Sequence, residues 1–128
     1  MVQLNYLEEL KAIRACVQKP RYHVGVFTRT IQDSMNICSE MIDAIHEDTK
    51  EEDALERYAN AQVNRCILFK NGSYIEFVVA NQNARGHKFH HILYGQNIKH
   101  DILYTVVHAT KMRYDESRNN GGNNGSSR

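Results

Sequence analysis

Residues 64–80, which read NRCILFKNGSYIEFVVA, decide the fold of this chain. Two runs rich in β-branched and aromatic side chains, 64–70 and 74–80, flank the turn sequence NGS. Asn-Gly is the strongest short-range signal for a β-hairpin, because both positions of the tight turn need positive φ angles. The stretch therefore predicts two antiparallel strands that are joined at Asn71 and Gly72.

Two further segments have the composition of strands. Residues 22–28 (YHVGVFT) are β-branched and aromatic, and Gly25 within them lets a neighbouring element approach closely. Residues 90–94 (HHILY) end in the apolar run ILY, which is typical of a buried central strand.

Three segments have the apolar spacing of helices with one buried stripe. They cover residues 4–17, residues 31–46 and a third stretch from about 98 to 109. Thr30 is the predicted N-cap of the second helix, because its side-chain oxygen can accept the amide of Asp33. The stripes consist of Leu4, Leu7, Leu10, Ile13 and Val17, then of Ile31, Met35, Cys38, Ile42 and Ile45, and then of Ile98, Ile102, Val106 and Ala109.

Two polar segments complete the organisation of the chain. The acidic stretch 46–60 (HEDTKEEDALERYAN) predicts a solvated loop with a surface helical turn. Residues 117–128 contain no apolar side chain and are predicted to be disordered. Residues 1–116 are predicted to form a single α/β domain, a layered fold with a mixed sheet of about four to five strands, a central β-hairpin and three to four helices.

The composition is that of an ordinary globular domain. Of the 128 residues, 41% are hydrophobic and 24% are charged, and the formal net charge is +1. No apolar run approaches the ~18 residues of a membrane span, so no membrane association is expected. The amino terminus lacks a basic-then-apolar leader, so a cytosolic protein is expected. A net charge near zero gives no global attraction to nucleic acid, so DNA is not an expected partner.

Histidines and cysteines do not form a recognisable catalytic or metal motif. His90 and His91 are consecutive in a predicted strand, so they point to opposite faces and do not share one ion. Cys16, Cys38 and Cys66 lack CxxC spacing and are predicted to be reduced, buried thiols. No metal site is predicted.

The order of the elements resembles the ATPase lobe of phage terminase large subunits, which are DNA-packaging motors. In that family a helix follows the phosphate-binding loop, and a strand that ends in an adjacent acidic pair follows a hairpin and a loop. The likeness covers roughly residues 4–113. It is carried by the strand HVGVFTRT, the helix IQDSMNICSEMIDAI, the hairpin CILFKNGSYIEFVVAN, the loop NARGHKF, the strand HHILYGQNI and the helix KHDILYTVVHATKM.

Two departures from the family pattern bear on activity. The chain contains no GxxxxGK[ST] phosphate loop and opens at the helix that would follow one. Gly95 and Gln96 stand where the family has the acidic pair that holds Mg²⁺, and neither carries a negative charge. Positioning and metal-assisted charge stabilisation supply nearly all of phosphoryl-transfer catalysis. The resemblance therefore implies an ATPase-like scaffold that is not an enzyme, with no catalytic residues and no cofactor.

Polar side chains cluster at the predicted strand ends, where open α/β sheets bind their ligands. Arginine binds phosphate in a bidentate manner, while asparagine and glutamine can read a base or ribose edge. A base could stack on Tyr94 or Phe89, although Phe89 also suits the core. The alternative to ligand binding is a purely structural role, in which these polar residues only cap loops and contact water. The predicted ligand-binding residues are Arg29, Thr30, Asn81, Asn83, Arg85, Tyr94, Gln96 and Asn97.

Three functions from different classes follow. The leading one is a phage or prophage counter-defence protein of the host bacterial cytoplasm that sequesters a nucleotide-like immune signal. A homo-oligomer is expected, because so small a subunit has little room to enclose a ligand. The second is an inhibitor of a bacterial immune protein that binds through helix faces or a sheet edge. The third is a terminase remnant with a role in motor assembly or DNA binding, in which Arg29, Lys88 and Lys99 would form a small basic patch.

Overall fold

A mixed β-sheet of six strands forms the centre of the fold. The computed structural model describes residues 1–84 and 86–114. The strands are β1 (Val2–Gln3), β2 (His23–Thr28), β3 (Leu55–Asn60), β4 (Arg65–Phe69), β5 (Tyr74–Val79) and β6 (His91–Tyr94).

The spatial order of the strands is β1-β6-β2-β5-β4-β3. The first four strands in this order run parallel, and β5, β4 and β3 form an antiparallel meander. The predicted α/β class with a mixed sheet is confirmed. Because β1, β6, β2 and β5 run in one direction, their carboxyl ends meet at the same edge of the sheet.

Four helices accompany the sheet in the described part of the chain. The predicted helix at residues 31–46 is confirmed to the residue, and the Oγ1 atom of Thr30 accepts the amide of Asp33 at 3.0 Å, as expected for its N-cap. The last helix begins as an α-helix and continues through one π-helical and one 3₁₀ segment. The helices are α1 (Tyr6–Gln18), α2 (Ile31–His46), α3 (Thr49–Ala54) and α4 (His100–Ile102), which continues through Leu103–Val107 and His108–Thr110. None of them combines the length and the apolar character that crossing a membrane requires.

The predicted hairpin forms between β4 and β5, but its turn differs from the prediction. Gly72 has a φ of 88°, whereas Asn71 is not in the positive-φ region. The amide of Gly72 donates to the carbonyl of Phe69 at 3.1 Å, and the amide of Phe69 donates to the carbonyl of Ser73 at 2.9 Å. The connection is therefore a three-residue loop, in which a type I turn is followed by a left-handed glycine. Gly72 is therefore the position in this loop that requires a positive φ angle.

The acidic stretch 46–60 contains a strand that the sequence did not predict. Its helical turn is present as α3, but residues 55–60 pair with β4 as β3 instead of forming a loop. β3 is an edge strand with a register shift between Leu55 and Arg57, and its middle residues are exposed. Pairing with β4 therefore outweighs its charged composition. β1 is the second additional strand, and together they bring the predicted four to five strands to six.

The buried face of α1 is wider than the predicted stripe and leaves out one of its members. Leu7 is 56% exposed, whereas Glu9 is only 4% exposed. Ala12 and Cys16 are fully buried beside Ile13. Leu4, Leu10 and Val17 are partly buried against the same cluster, so the predicted stripe is confirmed except at Leu7, and the small residues extend the buried face beside it. In α2, Ile31 is exposed as well, because it lies in the first turn, at the edge of the sheet.

Helices cover both faces of the sheet. Side chains alternate between the faces along each strand. In β2, Val24 and Val26 pack against α1 and α2, while Phe27 packs on the opposite face under the α4 segment. In β6, Leu93 joins the first cluster and Ile92 joins the second. The result is a three-layer α/β fold with a core on each side of the sheet.

Candidate functional site

The carboxyl ends of β2, β5 and β6 lie side by side at one edge of the sheet. The amide of Gly95 donates to the carbonyl of Phe27 at 2.7 Å, and the amide of Ala80 donates to the carbonyl of Thr28 at 2.7 Å. These two hydrogen bonds hold the segments that follow β6 and β5 against the end of β2. Open α/β sheets bind ligands at this edge.

Two adjoining clefts, the amide cleft and the basic cleft, open at this edge. The amide cleft has a volume of about 290 Å³ and lies between the ends of β2 and β6 and the first turns of α2. The basic cleft has a volume of about 620 Å³ and lies between the ends of β2 and β5 and the start of α4. The amide cleft is lined by residues that include Arg29, Asp33, Asn36, Ile37, Gln96 and Asn97, and the basic cleft by residues that include Arg29, Ala80, Asn97, Ile98, Lys99 and Ile102.

Arg29 and Asn97 line both clefts. Both residues are exposed. Asn97 has a φ of 64°, in the left-handed region that asparagine tolerates better than most side chains. The two clefts therefore share one cation and one amide, and a ligand that occupied both clefts would pass these two residues.

The structure brings together half of the predicted ligand-binding residues. Gln96 lines the amide cleft and Asn81 lines the basic cleft, so these two join Arg29 and Asn97. The side-chain oxygen of Asn81 also accepts the amide of Asn83 at 2.8 Å. Asn81 therefore shapes the turn after β5 as well as the cleft.

The other predicted ligand-binding residues lie elsewhere. Thr30 lines neither cleft, and its hydroxyl group is engaged as the N-cap of α2. Tyr94 is half-buried and packs against the core beneath α4. Asn83 lines a third cleft of about 270 Å³, which also contains Asn81 and Arg65. Arg85 lies outside the described residues. Phe89 is fully buried, in agreement with its alternative role in the core.

The basic cleft combines positive charge with an apolar wall. Arg29 and Lys99 are its two cations, and no carboxylate occurs among the described residues that line it. Ala80, Ile98 and Ile102 supply the apolar surface. Such a cleft suits a ligand that has an anionic group on a flat or apolar body, because the cations can pair with the anion while the apolar wall covers the body.

Sequence reasoning missed several residues that line the clefts. Asp33 and Asn36 come from α2, and Ile98 and Ile102 come from the segment after β6. Lys99 appeared only as part of a possible DNA patch. The signal was nevertheless present, because the first turns of a helix that follows a parallel strand lie at the carboxyl edge of the sheet. Residues one turn apart in those turns face the same side.

Gly95 and Gln96 follow β6 directly and contribute no charge to the clefts. A Cβ atom on Gly95 would lie 3.6 Å from the carbonyl oxygen of Phe27, which is ordinary van der Waals contact. The backbone at Gly95 is not in the positive-φ region. Neither packing nor conformation therefore requires a glycine at this position.

A histidine and tyrosine cluster occupies the opposite edge of the sheet. His90 stacks on Tyr22 with a centroid distance of 5.6 Å, and its Nδ1 atom accepts the amide of His23 at 3.0 Å. Burial and the neighbouring His23 and Lys111 lower the pKa of His90 to about 4. Within residues 1–84 and 86–114, no three His, Cys, Asp or Glu side chains converge in a way that could hold a metal ion.

The three cysteines are free thiols. Cys16 and Cys38 are buried, as predicted, whereas Cys66 is only half-buried because it lies on the face of β4 opposite the buried Ile67 and Phe69. Burial raises the pKa of Cys38 to about 12, which opposes the formation of a reactive thiolate.

The chain matches no protein-family model, no curated protein and no solved structure. The resemblance to phage terminases therefore depends on the sequence segments alone. The chemistry of the strand-end edge depends on the side chains of the two clefts.

Proposed function

We propose that this protein binds a nucleotide-derived small molecule in the two strand-end clefts without hydrolysing it. The observation that carries the proposal is that the basic cleft combines two cations, Arg29 and Lys99, with an apolar wall that includes Ile98 and Ile102. A phosphate group would pair with the two cations, and the sugar or base would lie against the apolar wall.

The dimensions of the site support a small ligand. The basic cleft, at about 620 Å³, falls within the range of roughly 300 to 1,000 Å³ that is typical of small-molecule pockets. Neutral amides of Asn97 and Gln96 adjoin the cations of this edge. Amide groups give directional hydrogen bonds to a base or ribose, while arginine and lysine supply the attraction to phosphate.

Capture without cleavage is supported by the residues that follow β6. Phosphoryl transfer depends on a metal ion held by carboxylates and on an oriented water molecule. Gly95 and Gln96 carry no carboxylate, and they stand where the resembled ATPases have two acidic residues. The resemblance to phage terminases suggests the biological setting, in which a phage protein withholds a nucleotide signal from bacterial immunity.

Calorimetric titration of the full chain tests this function. The ligands are ATP, GTP, their monophosphates, cyclic mononucleotides and ADP-ribose, each with Mg²⁺ present. We expect saturable binding of at least one ligand, and chromatography of the recovered ligand should show it unchanged. Absence of binding across the panel would overturn the proposal, and release of inorganic phosphate would overturn its non-enzymatic part.

A second candidate function is protein association through the β1 edge. Tyr6 and Leu7 are 52% and 56% exposed, and Met1 and Val2 beside them are exposed as well. β1 is an edge strand of only two residues, so its outer side is open to pairing. This surface suits a second copy of the chain or a bacterial immune protein. Sedimentation of wild type against Leu7→Glu distinguishes the two, because only self-association changes the mass of the purified protein.

A further inference from the structure

The amide cleft presents a hydrogen-bond acceptor and a hydrogen-bond donor that lie one helical turn apart. Asp33 and Asn36 both line this cleft from the first turns of α2. Positions i and i+3 face the same side of a helix. The backbone at Asp33 is held by the hydrogen bond from its amide to Thr30, at 3.0 Å, and the residue is exposed where it lines the cleft.

The amide group of Asn36 is oriented by its neighbour. The Nε2 atom of Gln32 donates to the Oδ1 atom of Asn36 at 2.9 Å. This bond turns the Oδ1 atom of Asn36 towards Gln32 and uses one of its two lone pairs, and the Nδ2 group of Asn36 has two N–H donors that can serve a ligand. The cleft therefore offers one carboxylate acceptor at Asp33 and one NH₂ donor at Asn36.

This arrangement matches the Watson–Crick edge of guanine. Guanine has two adjacent donors, N1–H and the N2 amino group, and one acceptor, O6. The carboxylate of Asp33 can accept both donors, and the Nδ2 group of Asn36 can donate to O6. Adenine offers the carboxylate only its N6 amino group, so one charge-assisted hydrogen bond fewer forms.

We infer that the amide cleft selects a guanine base, an assignment that rests on the proposed nucleotide binding. Ile37 lines the same cleft and supplies apolar contact for the base. Arg29 and Asn97 line both clefts, so one ligand can place its base in the amide cleft and its phosphate in the basic cleft. Lys99 would pair with that phosphate. The ligand class is therefore a guanine nucleotide or a signalling molecule that contains one.

Titrating the full chain with GMP, IMP, XMP and AMP tests the assignment. IMP lacks only the N2 amino group, so wild type should bind it about tenfold more weakly than GMP, the effect of one charge-assisted hydrogen bond. In Asp33→Asn the new amide can donate to the C2 carbonyl of xanthine and no longer accepts two donors from guanine. The variant should therefore prefer XMP over GMP, the reverse of wild type.

Asp43→Asn is the matched control, because Asp43 is exposed on the same helix and lines neither cleft. It should keep the wild-type order of affinities, and thermal unfolding should show that both variants fold. Equal affinities for GMP and AMP, or an unchanged preference in Asp33→Asn, would overturn the guanine assignment. If Arg29→Ala still weakened binding in that case, nucleotide capture would stand and only the base assignment would fall. Absence of binding by all four nucleotides would overturn the guanine assignment, and the proposed nucleotide binding would then stand only if another ligand of the wider panel bound.

Discussion

The ring of Phe89 packs directly on Gly25, in the space that a Cβ atom at this position would occupy. Phe89 is fully buried and meets Phe27 edge to face at a centroid distance of 5.7 Å. It belongs to the core between the sheet and the α4 segment, whose docking forms one wall of the basic cleft. Gly25 therefore determines how closely the chain before β6 approaches the sheet.

Replacing Gly25 with alanine should destabilise the fold by about 1 to 3 kcal/mol, the usual cost of overpacking a close-packed core. Urea unfolding measures the difference. Gly95→Ala is the matched control, since its Cβ atom would make only ordinary contacts, the nearest at 3.6 Å. Equal stability of the two variants would contradict the packing account.

The fold was largely predictable where local signals and tertiary contacts agree. The helix at residues 31–46 has both a side-chain cap and an apolar stripe, and it was predicted to the residue. β3 could not be predicted, because its charged residues form a strand only through pairing with β4. The close approach at Gly25 was expected from the glycine alone, but its partner, Phe89, is far away in the sequence.

Glu9 should make stability fall as the pH rises. Burial and the neighbouring Glu40 raise the pKa of Glu9 from 4.5 to about 8. The unfolded chain therefore loses this proton from about pH 4.5, while the folded chain keeps it until about pH 8. Glu9→Gln has no carboxyl group to titrate at this position. Its free energy of unfolding should therefore rise relative to that of wild type across this pH window, by at most about 1.4 kcal/mol per pH unit.

Urea unfolding at several pH values between 5 and 8, about the window set by the linkage, measures this gain. Glu56→Gln, on the exposed β3 edge, is the control and should follow wild type. A constant difference between Glu9→Gln and wild type at all these pH values would show that Glu9 is already ionised in the fold.

His90 should have the opposite effect under acid conditions. Its pKa is lowered from 6.5 to about 4, so between these pH values His90 is protonated in the unfolded chain and neutral in the folded chain. Stability is therefore lost as the pH falls from 6.5 towards 4. His90→Asn keeps an acceptor for the amide of His23 but does not titrate. The urea midpoint of this variant should fall less steeply with pH than that of wild type, and an identical slope would contradict the prediction.

Thr30 was predicted as a ligand residue and as a helix cap, and a substitution separates the two roles. Thr30→Ala should lower stability by about 1 kcal/mol, the usual value of an N-cap. Nucleotide affinity should change by less than about twofold, since Thr30 lines neither cleft. Thr30→Ser should preserve both properties. A large loss of affinity in a stably folded Thr30→Ala protein would restore the ligand role.

The candidate site was predictable only in part. Arg29, Gln96 and Asn97 follow strands directly, so strand positions alone place them at one edge. Asp33 and Lys99 reach the same edge because α2 and α4 dock with their first turns beside it, and that docking depends on contacts that no local pattern reveals. The division of the edge into one amide-rich and one basic cleft likewise follows from packing.

Calorimetric titration of wild type and Arg29→Ala with the same panel of nucleotides, from ATP and GTP to the cyclic mononucleotides and ADP-ribose, tests the central claim most directly. Arg57→Ala, at an exposed position of β3 and away from both clefts, is the matched control. We predict that wild type and Arg57→Ala bind one of the nucleotides with equal affinity and that Arg29→Ala binds it at least about tenfold more weakly. Equal affinity of Arg29→Ala and Arg57→Ala, or no heat of binding with wild type, would contradict the account.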